Sequence, residues 1–200
     1  LKNRIFLDRT QGVGILHRSL ALEMGASGPV LRSTGVDYDV RKDKPYLTYG
    51  ECDFDVPVGE DGDTYDRFMC RLEEIRQSAR IIEQSFDLMK KIEPGSPEDA
   101  VSIVDPRIVM PPKGEVYTTI EATIQHFKLI MEGIDVPPGE VYQYTEGGNG
   151  ELGFLLVSRG GGNPWRVRVR GPSFFSMQCT RPMILGTMLA DIIPTFGSIN

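Results

Sequence analysis

Apolar residues recur at steps of three and four between residues 63 and 91: Tyr65, Phe68, Met69, Leu72, Ile75, Ala79, Ile82, Phe86 and Met89. That period predicts one long amphipathic helix. Asp61 or Asp63 is placed to cap its start, Lys90 and Lys91 suit the negative end of its dipole, and Pro94-Gly95 terminates it. Ile120, Ile124, Phe127, Ile130 and Met131 form a second stripe, which predicts a helix over about 115–132 closed by Gly133. After Pro137-Pro138-Gly139 the period changes from helical spacing to alternation. Residues 140–146, 151–158 and 165–170 read as strands, punctuated by Gly147-Gly148-Asn149-Gly150 and Gly160-Gly161-Gly162-Asn163. Three strands and two glycine-rich turns make an antiparallel meander. A last helical stretch is expected at about 176–193, interrupted near its start by Pro182.

The first third is less periodic. Ile5, Leu7, Val13 and Ile15 around Gly12 and Gly14 suggest short strands joined by a tight turn. Ser19 is placed to cap a short helix through Met24, stopped by Gly25. Residues 28–60 read as loop, and 96–113 as a proline-rich connection. The expectation is an α+β, α-rich fold: one domain over 1–200, with a helical core from 61–133 and 176–193 and a β-meander at 140–170.

Composition narrows what such a fold does. The chain has 200 residues and a net charge of −6, which opposes non-specific nucleic-acid binding. No apolar run approaches the about 18 residues that span a bilayer, so membrane contact is expected only through a partner. Cys52, Cys70 and Cys179 are three in number and far apart, with no CxxC pair. They predict free thiols in a reducing compartment rather than a disulfide framework. His17 and His126 lack neighbours at ligand spacing, so no metal site is expected. His17 reads as a loop residue and His126 as structural. Gly12-Val13-Gly14 and Gly160-Gly161-Gly162 read as turns, not as phosphate cradles, because neither opens a helix of the required kind. No catalytic constellation assembles.

Two charge patterns stand out. Arg67, Arg71, Arg76 and Arg80 with Glu73, Glu74 and Glu83 read in part as a solvated helix face. Arg166, Arg168 and Arg170 alternate on one strand and share one face. They would meet either an acidic partner, phosphate or lipid head group, or the strand carboxylates Glu140, Glu146 and Glu151.

Leu1 and the apolar Ile199 beside Asn200 suggest a segment of something longer. The run Arg4–Thr10 with Gly12-Val13-Gly14, Gly35–Lys42, Asp53–Gly59 leading to Asp63–Arg67, and Arg76-Gln77-Ser78 resembles the D subunit of respiratory complex I. So do His126-Phe127-Lys128, Pro137–Tyr142, Gly150–Gly153, Arg170–Phe174 and Leu189–Ile193. The resemblance covers essentially all 200 residues and maps to the C-terminal half of that subunit.

The resemblance implies a hydrogenase-large-subunit-like helical bundle within NADH:quinone oxidoreductase, a proton-translocating respiratory complex. The subunit would lie peripherally on the cytoplasmic side of the bacterial inner membrane. It would help to build the cavity where quinone, the substrate, is reduced from a [4Fe–4S] cluster held by a neighbouring subunit. The expected partners are other peripheral-arm subunits, including that terminal-cluster subunit, and the membrane subunit at the quinone site. No cofactor is expected on this chain, and the lack of CxxC pairs separates it from nickel–iron hydrogenases. The family's head-group histidine and tyrosine belong to the N-terminal half, and neither His17 nor His126 matches that histidine. The chain alone is therefore expected to be inactive. Asp191, Ser198 and Asn200 map near the quinone cavity. Asn200 stands where family members usually carry Asp, Arg159 replaces an acidic residue, and Trp165 replaces Tyr. The alternative is a non-catalytic binding or assembly module on the same scaffold.

Overall fold

A computed structural model describes residues 3–91, 105 and 107–199. The fold is α+β: ten α-helical segments and one antiparallel sheet of three strands, paired in sequence order, among the described residues. They group into two compact units, one drawn from Leu1–Leu88, Tyr144–Gly153 and Val169–Asn200, the other from Met89–Gln143 and Phe154–Arg168.

In the first unit, residues 4–8 are helical rather than extended. Asn3 accepts the Ile5 N–H at 3.0 Å and starts α1 (Arg4–Asp8). This local cap outweighs the weak alternation that suggests a strand. Gly12 and Gly14 do form the turn, both at positive φ. The next helix, α2 (Arg18–Glu23), begins before Ser19, with His17 at its N-cap. The stretch read as loop holds α3 (Gly28–Arg32), α4 (Val40–Asp43) and a 3-10 turn at Tyr49–Glu51. Pro29 in the first turn of α3 presets its φ.

The long helix is α5 (Thr64–Lys91). Asp63 accepts the Asp66 N–H at 2.8 Å, so it is the capping aspartate. Its buried side differs from the predicted stripe: Thr64, Arg67 and Cys70 are buried, whereas Ile75, Ile82, Phe86 and Met89 are exposed. The solvated-face reading holds for Arg76, which pairs with Glu73 at 2.8 Å, and fails for Arg67. Arg80 pairs with both Asp53 and Asp55, while Gln77 and Gln84 accept the Asp55 and Asp53 N–H groups at 3.1 and 2.8 Å. One polar side of α5 thus holds the acidic strap beside it.

A buried charge network ties α3 to α5. Arg32, 1% exposed, reaches Glu74 at 2.6 Å, Glu146 at 2.9 Å and the Tyr38 carbonyl at 2.9 Å. Asp39 is buried beside it and bound by Arg41 at 2.6 Å. Burial alone would raise the Asp39 carboxyl, but the Arg41 guanidinium overrides this and holds it low. The apolar core of this unit centres on Leu16, Ala21, Val30, Leu31, Cys179 and Met183.

The sequence pattern near the C-terminus suggests one helix, but the segment is four short pieces. They are α8 (Pro172–Gln178), α9 (Thr180–Ile184), a 3-10 turn at Leu189–Asp191 and α10 (Ile192–Gly197). Pro172, Pro182 and Pro194 each sit within a first turn, where a missing N–H costs little, and Gly186 at φ 83° breaks the chain between them.

In the second unit the helix expected at 115–132 is split. The pieces are α6 (Lys113–Val116) and α7 (Ile120–Met131), because Thr119 accepts the Ala122 N–H at 3.4 Å and starts a new helix. The strands agree closely with expectation: β1 Gly139–Gly147, β2 Gly150–Ser158 and β3 Arg166–Arg170. Residues 92–104 and 106, which include Pro94-Gly95 and much of the proline-rich connection, lie outside the described residues, as does Asn200.

Candidate functional site

Within the first unit, a cavity of about 270 Å³ opens between α1, the start of α5 and α10. Phe6, Phe68 and Pro194 supply its apolar walls, and Thr10, Thr64, Arg71 and Ser198 its polar groups. Phe6 meets Phe68 edge to face at 5.1 Å between ring centroids. This volume sits just below the roughly 300–1,000 Å³ usual for small-molecule sites.

Arg67 organises the floor. It is fully buried and carries no carboxylate ion pair among the described residues. Instead its guanidinium donates to Ser198 Oγ, Gly62 O and Gly14 O, each at 2.8 Å, and to Thr64 Oγ1 at 3.1 Å. One side chain therefore joins the N-terminal turn, the entrance of α5 and the end of α10. Burial lowers its pKa to about 10, partly opposed by the charge of Asp63. The backbone has to come close for this to work. A Cβ on Gly14, at φ 65°, would lie 2.7 Å from Thr195 Oγ1.

Arg71, one turn further along α5, lines the cavity with less support. Its Nη1 reaches the Arg67 carbonyl at 3.4 Å, and its buried Nη2 has no partner among the described residues. Burial lowers its pKa. The site thus combines aromatic walls with a cationic N–H donor and a fixed serine hydroxyl. It suits an uncharged ring bearing oxygen acceptors, or an anion, and it offers no nucleophile–base pair.

Of the residues singled out in the sequence, Ser198 lines this cavity; its hydroxyl accepts from Arg67 and donates to Thr195 O at 2.6 Å. Asp191 is buried in the 3-10 turn and pairs with Arg9 at 2.8 Å, away from the cavity lining. Asn200 lies outside the described residues. His17 is exposed and His126 half-buried. Burial pushes the Cys70 thiol up to about 11. Among the described residues no group of three or more His, Cys, Asp or Glu is placed to hold a metal ion. None of their helices is long and apolar enough to cross a membrane.

Arg67 and Arg71 are legible in the sequence only as part of a charged helix. The signal that could single out Arg67 is spacing: Thr64, Arg67, Cys70 and Glu74 follow a three-or-four step that competes with the apolar stripe.

The chain is 60% identical over 200 residues to the D 1 subunit of NADH-quinone oxidoreductase from Sorangium cellulosum, covering 100% of this chain and 48% of that protein. It is 54% identical over 198 residues to the D subunit of NADH-quinone oxidoreductase from Myxococcus xanthus, covering 99% and 46%. With the D 2 subunit of an Anaeromyxobacter species it shares 52% identity over 199 residues, covering 100% and 44%. The chain thus spans about half the length of these relatives. The family described as respiratory-chain NADH dehydrogenase, 49 Kd subunit, matches residues 1–200, and this chain belongs to it.

Proposed function

We propose that this chain forms part of the quinone-site subunit of an NADH:quinone oxidoreductase, and that the cavity at Arg67, Arg71 and Ser198 belongs to the wall of the quinone chamber. The observation that carries this reading is the pairing of a serine hydroxyl, fixed by a buried arginine, with an orphaned guanidinium N–H on aromatic walls. The Arg71 guanidinium matches a carbonyl acceptor and the Phe6 and Phe68 walls match the flat ring of a quinone, while Ser198, whose O–H is donated to Thr195 O, shapes the wall between them. Electrons would arrive from a [4Fe–4S] cluster on a neighbouring peripheral-arm subunit, and the membrane subunit would complete the chamber on its other side. The assembled complex would sit at the cytoplasmic face of the bacterial inner membrane and couple turnover to proton translocation. The chain alone would not reduce quinone.

In the full-length subunit within the assembled complex, Ser198→Ala and Asn200→Ala should lower quinone turnover. NADH oxidation by an artificial flavin-site acceptor should stay intact, because flavin chemistry takes place in another subunit. Asp191→Asn should instead reduce the amount of assembled complex, because it weakens the pair with Arg9. Unchanged quinone kinetics in both the Ser198 and Asn200 variants would contradict the assignment.

A further inference from the structure

The part of the sheet that belongs to the second unit carries another surface. Trp165 N–H donates to Val157 O at 2.8 Å, and in an antiparallel ladder such a bond joins directly opposed residues. Arg166 therefore stands opposite Leu156, and Arg168 opposite Phe154. The two-residue turn between Gly147 and Gly150 sets Val141 opposite Leu156 and Gln143 opposite Phe154. Val136 N–H donates to Gly161 O at 3.3 Å, which keeps the same register to the far end.

Alternation then sorts the side chains. Val141, Gln143, Phe154, Leu156, Arg166 and Arg168 share one face. Glu140, Glu146 and Glu151 all fall on the other, so they cannot neutralise Arg166 or Arg168 by cross-strand pairing. Glu146 is taken up by Arg32 and Glu151 by Tyr38, at 2.9 and 2.7 Å. Arg170 departs from its two neighbours. It folds back at the strand end onto the carbonyls of Glu151 and Gly25, at 2.8 and 2.9 Å, and pairs with the Glu151 carboxylate at 3.6 Å, so for this arginine the strand-carboxylate alternative holds. Arg166 and Arg168 stay exposed, beside Phe154 at 41%, Leu156 at 40% and Val141 at 54% exposure. Val141 and Leu156 also line an apolar cleft of about 410 Å³ walled by Val136, Pro137, Pro138 and Pro164.

We propose that this face is a docking surface for an acidic polypeptide segment whose carboxylates meet Arg166 and Arg168 while its apolar side chains fill the cleft at Val141 and Leu156. Residues two apart on a strand are about 7 Å apart, so an extended segment with carboxylates at alternate positions matches the arginine pair. Apolar contact supplies area, and the arginines supply selectivity in a chain that is otherwise acidic. The proposal does not depend on the function assigned to the cavity of the first unit.

The test uses the 200-residue chain and a fluorescein-labelled synthetic peptide alternating Glu with Leu, and reads the anisotropy of the label as the protein is titrated in. Binding should saturate below about 1 mM and weaken steeply with salt. Affinity should fall by about tenfold or more when Gln replaces its Glu, and equally in an Arg166→Glu/Arg168→Glu double variant of unchanged circular dichroism. Arg159 stacks on the Trp165 ring at 3.7 Å, off this face, so Arg159→Gln should leave affinity intact. No saturation, equal binding of the Gln peptide, or an unaffected double variant would overturn the proposal. So would binding to phosphatidylglycerol vesicles that is lost in the same double variant while the peptide fails to bind.

Discussion

Replacing Arg67 by Met removes a charge from the centre of the first unit and tests whether its hydrogen bonds hold the cavity together. Four donations are lost, three of 2.8 Å and one of 3.1 Å. At about 1.5–2 kcal/mol for each bond from a charged donor, the gross loss is about 6–8 kcal/mol. Burial works the other way. It lowers the guanidinium pKa to about 10, a penalty of about 3 kcal/mol on the charged form that Met does not incur. The net expectation is a destabilisation of about 3–5 kcal/mol. Urea unfolding of the 200-residue chain, followed by far-ultraviolet circular dichroism, reads this as a midpoint lowered by about 1–2 M. Arg67→Lys keeps the charge but cannot reach four acceptors spread over Gly14, Gly62, Thr64 and Ser198, so it should recover less than half of the loss. A Met variant within about 1 kcal/mol of the parent would refute the reasoning. Full recovery by Lys would show that a point charge, not the planar fork, is what matters.

Two further outcomes follow from local geometry. Gly12→Ala and Gly14→Ala both place a side chain at positive φ, but a Cβ at Gly12 meets nothing within 4 Å whereas one at Gly14 would lie 2.7 Å from Thr195 Oγ1. The same urea titration should show a cost of about 1 kcal/mol at Gly12 and about 2 kcal/mol more at Gly14. Burial raises the Cys70 thiol from 9.0 to about 11, so its alkylation in the folded chain should climb about tenfold per pH unit through pH 9 and level off only near 11, against a plateau near 9 in denaturant. Peptide mapping of the labelled Cys70 checks this, and a native plateau near 9 would contradict the burial.

Much of the architecture is legible in local pattern. The apolar period announces α5 to within a residue at each end, and glycine pairs set in alternating sequence locate all three strands. These are short-range signals: a turn that needs positive φ, a cap three residues from its N–H, a strand whose side chains alternate. The short helices at Arg4–Asp8, Gly28–Arg32 and Val40–Asp43 escape because each is a single turn held by caps and packing, too short to show a period. The run read as one helix near the C-terminus fails for a related reason, since three prolines and Gly186 are compatible with several breaks and only packing chooses among them.

The sequence by itself also determined the family, the alternation of Arg166, Arg168 and Arg170, and the presence of Ser198 and Asp191. What those residues do was decided by tertiary structure. Arg67 and Arg76 stand on the same helix, yet one is buried and the other solvated, because Gly14 and Ser198 bring acceptors to Arg67 from positions 53 residues before and 131 residues after it. Of three alternating arginines, Arg170 alone finds carbonyls at the strand end, and register puts the neighbouring glutamates on the face that Arg166 and Arg168 do not share. Spacing along a chain fixes which side chains share a face. Only the fold sets what that face meets, because burial and hydrogen-bond partners depend on segments far away in sequence.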